Sequence, residues 1–106
     1  MKDEISVTEL ARWREERDDV VVLDVREPME VQIVAFPGAL EVPMREIPAR
    51  VGELPKDKTL AVICHHGGRS HQVVGFLRAQ GFTNAVNVDG GIDAYALTVD
   101  PSLPRY

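Results

Sequence analysis

Thr59-Leu60-Ala61-Val62-Ile63-Cys64-His65-His66-Gly67-Gly68-Arg69-Ser70 changes character halfway along, and that change decides the fold. Up to Ile63 it is a short apolar run entered from the connection Leu54-Pro55-Lys56-Asp57, the pattern of a strand buried on both faces. From Arg69 to Gln80 a helical pattern follows, with Val73, Phe76, Leu77 and Gln80 along one side and Gly81 at the position of a C-terminal cap. Between strand and helix lies a tight turn that contains two glycines and opens with the only cysteine of the chain. A strand ending at a thiol, a glycine turn and a helix start together form an anion-binding cradle around a sulfur. Such surroundings lower a thiol pKa, and the thiolate is the reactive form.

The same alternation extends in both directions. On the amino-terminal side, Ile5-Ser6-Val7 reads as a short strand or lead-in, and Ser6 and Glu9 have capping-box spacing before a helix that runs to about Glu16. Val20-Val21-Val22-Leu23 is a β-branched buried strand. Pro28 opens a short helix from about Met29 to Ile33. Pro37-Gly38 is a turn into a brief strand at Ala39–Val42, and Pro43 to Val51 reads as a helix broken by Pro48. On the carboxyl-terminal side, Ala85–Val88 is the last strand, Asp89-Gly90-Gly91 a turn, Ile92 to Thr98 a short helix, and residues 100–106 an extended tail. Short apolar strands alternating with helices predict an α/β domain with a mostly parallel sheet. Ligands of such sheets bind beyond the carboxyl ends of the strands. Cys64, the segment Asp24-Val25-Arg26 and the turn Asp89-Gly90-Gly91 are all expected at that end.

The chain has 106 residues, a length that suits one domain spanning 1–106. Its 44% hydrophobic and 27% charged content is that of a folded protein. Met1-Lys2-Asp3-Glu4 is acidic and lacks the apolar stretch of a signal peptide, and no apolar run is long enough to span a bilayer. A single cysteine forms no intrachain disulfide, which fits a reducing compartment, and the cytoplasm is the expected location. The net charge of −5 argues against nucleic acid as a partner, and the hydropathy argues against a membrane. No Asp or Glu occurs from Lys58 through Val88, a stretch that holds Arg69, Arg78 and all three histidines. An acidic chain has kept the surroundings of its thiol free of carboxylates, which favours a small anionic ligand there.

By default a lone cysteine is a small buried hydrophobe. Four neighbours argue otherwise for Cys64. Gly67 and Gly68 let consecutive N–H groups turn inward, the following helix adds its free N–H groups, Arg69 adds a planar cation, and Ser70 can cap the helix or donate to sulfur. Cys64 through Arg69 is a Cys-x4-Arg loop. Cysteine-dependent phosphatases use a Cys-x5-Arg loop, so this shorter one encloses a smaller anion, about the size of a persulfide's terminal sulfur. Asp24 and Arg26 read either as substrate contacts or as a structural pair beneath the site, and the pair is favoured because buried charges need partners. His65 and His66 read as walls of the anion site rather than metal ligands, since adjacent side chains are expected to diverge and nothing else completes a tetrahedral set. No metal is expected. His71 reads as a surface residue, and Trp13, Met29 and Met44 as core or rim fillers.

The segment from Cys64 to Ser70 resembles the Cys-x-x-Gly-x-Arg-Ser active loop of single-domain rhodanese-like sulfurtransferases. Asp24-Val25-Arg26-Glu27, Pro37-Gly38-Ala39, and Gly81-Phe82 with Asp89-Gly90-Gly91-Ile92 are similar to further motifs of that family, in the same order along nearly the whole chain. The resemblance implies a five-stranded, mostly parallel sheet flanked by helices on both faces. It also implies Cys64 as nucleophile, with His65, His66, Gly67, Gly68, Arg69 and Ser70 holding the substrate. The implied reaction is a double displacement in which sulfur passes from thiosulfate or a related small anion to Cys64, then to cyanide or a thiol. A protein sulfur donor or acceptor is an expected partner, and neither metal nor organic cofactor is implied. A sulfur carrier or regulatory binding module is the alternative, and a cysteine phosphatase or arsenate reductase is disfavoured by the short loop. The sequence departs from the family pattern at Val34-Ala35, where Gly-His is usual, and at Tyr95, where Trp is common.

Overall fold

The computed structural model describes residues 3–106. Met1 and Lys2, half of the segment read as lacking a leader, lie outside the described residues. Five strands form one sheet: β1 (Glu4–Ile5), β2 (Val20–Asp24), β3 (Leu40–Glu41), β4 (Thr59–Ile63) and β5 (Ala85–Val88), in the order β1-β5-β4-β2-β3. Every pairing is parallel. Among the described residues, four α-helices connect them, α1 (Val7–Glu16), α2 (Pro28–Ile33), α3 (Ile47–Arg50) and α4 (Gly68–Ala79), and a fifth, α5 (Gly91–Thr98), follows β5. None of the described helices is long and apolar enough to cross a membrane.

β4 lies in the middle of the sheet and all five of its residues are buried. Its side chains alternate between two cores, as strand geometry requires. Leu60, Val62 and Cys64 join Val73, Val74 and Leu77 of α4, while Ala61 and Ile63 join Leu10 of α1 and Ile92 and Tyr95 of α5. The sheet is thus covered on both faces, which explains why its strands read as continuous apolar runs. Asp24 pairs with Ile63 in register, and the Val25 N–H donates to the Ile63 carbonyl at 3.0 Å. That register brings the loop after β2 beside Cys64.

Several boundaries differ from expectation for local reasons. β1 stops at Ile5, because Ser6 leaves the strand to cap α1 by accepting the Glu9 N–H at 3.0 Å. Glu9 does not complete the box; its carboxylate takes the Trp13 indole N–H at 2.8 Å and pairs with Arg12. Pro48 does not break a helix but sits in the first turn of α3, with one-turn 3₁₀ segments on either side at Met44–Glu46 and Val51–Glu53. α4 begins at Gly68, and its buried side is Ser70, Val73, Val74 and Leu77, with Phe76 half-buried and Gln80 exposed. Met29 is 72% exposed on α2 rather than filling a core or rim.

Val34, one of the residues that depart from the family pattern, lies in the same core cluster as Tyr95, while Ala35 is exposed. Val34 and Phe36 are buried, and the Phe36 ring packs on Tyr95 at 4.7 Å between centroids.

Candidate active site

Cys64 follows the last residue of β4, and its carbonyl is held from behind. The first N–H groups of α5 reach it: Ile92 N donates to the Cys64 carbonyl at 2.8 Å and Asp93 N to the His65 carbonyl at 3.1 Å. In a trans peptide the N–H points opposite the C=O, so the amides of His65 and His66 are turned away from α5. Gly91 permits the approach. A Cβ there would lie 2.4 Å from both carbonyl oxygens, and its φ of +63° is itself a glycine conformation. Gly67 turns the other end of the loop at φ +109°.

The result is a curled backbone whose N–H groups converge on sulfur. Gly67 N lies 3.1 Å and Ser70 N 3.4 Å from Cys64 Sγ, with the Ser70 hydroxyl at 3.3 Å. Burial pushes the Cys64 thiol up. Against it, the Ser70 hydroxyl, whenever its proton faces sulfur, and the N–H groups of Ser70, Gly67 and Arg69 pull it down, and the net shift is below the ordinary thiol value. The thiol is only 1% exposed, yet its surroundings favour charge. An inert cysteine in an apolar core has the opposite signature.

Arg69 does not point into the cradle as a free cation. Its guanidinium grips Glu30 of α2 through two parallel bonds of 2.6 and 2.9 Å. This fork holds the Glu30 carboxyl down at about 2, so the pair stays ionised through the neutral range. Asp24 and Arg26 form a second pair, fully buried, with Arg26 Nη2 2.7 Å from Asp24 Oδ2. Arg26 also donates to the Val34 carbonyl at 2.8 Å and to the Tyr106 hydroxyl at 3.1 Å. It therefore ties β2, the segment after α2 and the tail together.

His65 and His66 do not diverge: their rings lie 3.9 Å apart, and Asp93 of α5 joins them, with one potential ligand atom from each residue all within 4.8 Å of one another. Two of the three residues already have partners outside the group. Asp93 receives Arg105 at 2.9 and 3.4 Å, and His65 Nε2 meets the Tyr106 carbonyl at 2.8 Å. His71 is exposed on α4.

Three further residues belong to the site. Glu30 pairs with the loop arginine, and its only trace in the sequence is the Glu27-x-x-Glu30 spacing that closes on the Glu27 N–H at 3.0 Å. Asn87 is buried in β5 and bonded to Ser70, and a polar residue between Val86 and Val88 was the available signal. Tyr106 stacks on His65 at 3.9 Å, and its hydroxyl bonds Glu30 at 2.8 Å. It thus bridges the first residues of the loop to the ion pair made by the last. Nothing local in the tail announced this.

Comparison with known proteins bears on the family and the fold. The Rhodanese-like domain model matches residues 6–98. A sulfurtransferase of Allochromatium vinosum is 38% identical over 96 residues, covering 91% of this chain and 90% of its own. Thiosulfate sulfurtransferase GlpE of Pseudomonas syringae is 32% identical, covering 74% of each chain. The crystal structure of a rhodanese-like domain protein from Staphylococcus aureus superposes with a TM-score of 0.84 at 34% identity, covering 100% of this chain and 99% of that one. Of several longer relatives that it matches, the chain spans between 25% and 31% of the length. A family match over nearly the whole chain, on a fold that superposes from end to end, shows that the protein belongs to the rhodanese-like family of sulfurtransferases.

Proposed function

We propose that the protein moves a sulfane sulfur from thiosulfate or a related small anion to a thiophilic acceptor through a persulfide on Cys64. The observation that carries this reading is the set of N–H groups converging on Sγ at 3.1 and 3.4 Å. The Cys64 thiolate attacks the outer sulfur of thiosulfate, a new S–S bond forms, and the old one breaks with its electron pair leaving on sulfite. The charge that stood on Sγ now stands on the terminal sulfur, inside the curl of amides from His65 to Arg69. Preorganised N–H dipoles stabilise that charge without reorganising. An acceptor thiolate or cyanide then attacks the terminal sulfur and returns Cys64 as thiolate. Two half-reactions through one covalent intermediate give ping-pong kinetics.

In this reading Gly67, Gly68 and the helix start supply backbone donors, and His65 and His66 form the wall on the acceptor side. Ser70 attends Sγ, and Arg69 contributes its amide to the cradle and its side chain to the Glu30 clamp. Asp24 and Arg26 support the floor. A reducing compartment such as the cytoplasm is the setting in which the free thiol persists. The loop encloses one sulfur rather than a phosphoryl group, which sets this chemistry apart from that of a cysteine phosphatase. Incubation with thiosulfate is expected to add about 32 Da to the intact chain, and Cys64→Ser to abolish the addition. Absence of any adduct on Cys64 with thiosulfate and with an organic persulfide would overturn the proposal.

A second reading, a carrier loaded by a partner protein, is favoured by one observation: the thiol is 1% exposed, with Tyr106 lying between His65 and Glu30. Rapid loading from a cysteine desulfurase with negligible turnover of thiosulfate and cyanide selects that version.

A further inference from the structure

A buried line of polar groups reaches Cys64 from β1. Glu4, exposed on β1, accepts the Asn87 side-chain N–H at 3.0 Å. Asn87 Oδ1 lies 2.5 Å from Ser70 Oγ, and Ser70 Oγ lies 3.3 Å from Cys64 Sγ. Asn87 is 2% exposed and Ser70 fully buried, so solvent does not stand in for either partner between Asn87 and Cys64.

Hydrogen-bond capacity gives this line a direction. A carboxylate only accepts, so the Asn87 amide must turn its NH₂ to Glu4 and its oxygen to Ser70. That oxygen only accepts, so Ser70 must donate to it. A hydroxyl has one proton. With that proton on Asn87, Ser70 presents lone pairs to Sγ. A thiol donates into them, whereas a thiolate gains nothing until the proton turns away from Asn87.

We propose that Asn87, oriented by Glu4, is a positioning residue that holds the Ser70 proton away from Cys64 and so withholds one hydrogen bond from the thiolate. The two sulfur states then respond differently. In resting thiolate the charge is on Sγ, beside a serine oxygen. In a persulfide the charge is on the outer sulfur, Sγ is neutral, and the Ser70–Asn87 bond is undisturbed. The relay therefore favours the sulfur-loaded form over the empty thiolate, a consequence that rests on the persulfide reading above. The effect on thiol acidity does not rest on it.

The other charged groups near Cys64 lie on separate elements and are already paired: Arg69 of α4 with Glu30 of α2, Arg26 with Asp24 at the end of β2, and Asp93 of α5 with Arg105. His65 and His66 complete the set on the loop. None contacts Asn87 in the hydrogen-bond network, so substitutions there leave them in place.

The test is the pH midpoint of Cys64 alkylation by iodoacetamide, which requires no sulfur transfer. Asn87→Leu frees the Ser70 proton for sulfur and is expected to lower the midpoint by about one pH unit, one charge-assisted hydrogen bond, or about tenfold more thiolate on the acid side. Glu4→Ala, a change at an exposed residue that leaves the core untouched, releases the Asn87 amide to flip and is expected to shift the midpoint in the same direction. In a Ser70→Ala background both shifts disappear. An unchanged or raised midpoint in Asn87→Leu and Glu4→Ala, or equal shifts with and without Ser70, overturns the proposal. Asn87→Ala provides the same reading should the leucine variant fail to fold. Failure of persulfide formation in the mass experiment with these shifts intact overturns the sulfur-transfer reading alone.

Discussion

Gly91→Ala is the sharpest test of how the cradle is built. The new Cβ would stand 2.4 Å from the Cys64 and His65 carbonyl oxygens, both of them backbone atoms that cannot rotate aside. At φ +63° an alanine adds left-handed strain of about 1 kcal/mol. Relief requires α5 and the loop to part, which breaks or weakens the bonds from Ile92 N and Asp93 N, at about 1 kcal/mol each. The expected loss is about 3 kcal/mol, or a fall in Tm of roughly 12 to 24 °C at the scale of a domain this size. Released from α5, the loop carbonyls no longer force the opposite amides inward, so the alkylation midpoint of Cys64 is expected to rise. Gly68→Ala is the matched control. A Cβ there meets nothing within 4 Å, its φ is ordinary, and it starts α4, so stability is expected to be unchanged or higher by about 0.5 kcal/mol. Thermal unfolding and alkylation of the two variants decide the matter. Equal stability of both variants, or a Gly91→Ala protein with an unmoved midpoint, would refute the claim that α5 shapes the loop.

Three further outcomes are expected. Arg26→Met leaves Asp24 buried and unpaired and is expected to cost about 3 to 5 kcal/mol in urea unfolding, part of which Asp24→Asn in the same chain restores. Glu30 is depressed on folding, so its contribution is complete above its ordinary value of 4.5 and is lost as the pH falls toward about 2. Glu30→Gln should therefore be less stable than the parent at pH 7 by about 1 kcal/mol, a modest figure because Arg69 is 35% exposed, and the difference should vanish near pH 2. Tyr106→Ala removes the stack on His65 and the bonds to Arg26 and Glu30, and is expected to speed alkylation of Cys64 by roughly tenfold at fixed thiolate fraction. An unchanged rate would show that the tail does not guard the sulfur.

Local features were legible in the residues wherever covalent order and physical order coincide. The strand Thr59–Ile63, the glycine turn and the helix beyond it are contiguous, so the cradle could be read from spacing alone. The same holds for the Ser6 cap and for the two-sided burial that makes β2 and β4 continuous apolar runs. Where the reading of the loop side chains failed, the cause was a partner distant in the chain. Arg69 was read as a planar cation beside the thiol with no partner named, because Glu30 stands 39 residues away. His65 and His66 were expected to diverge because neither Asp93 nor Tyr106 is visible from the loop itself. Pro48 seemed to break a helix because only the backbone shows whether a proline interrupts a turn or begins one.

The sequence by itself therefore determined the class of fold and the loop of amides around Cys64, since these follow from periodicity and from groups a few bonds apart. Tertiary structure alone decided the surroundings of that loop: which charge Arg69 answers, which buried amide meets Ser70, and which ring stacks on His65. Those depend on side chains brought together by a parallel sheet that sets β1 beside β5 and β2 beside β4, and joins even β2 to β3 and β4 to β5 only through a crossover. Every contact between adjacent strands must cross a helix or loop in sequence, and residue spacing carries no record of it.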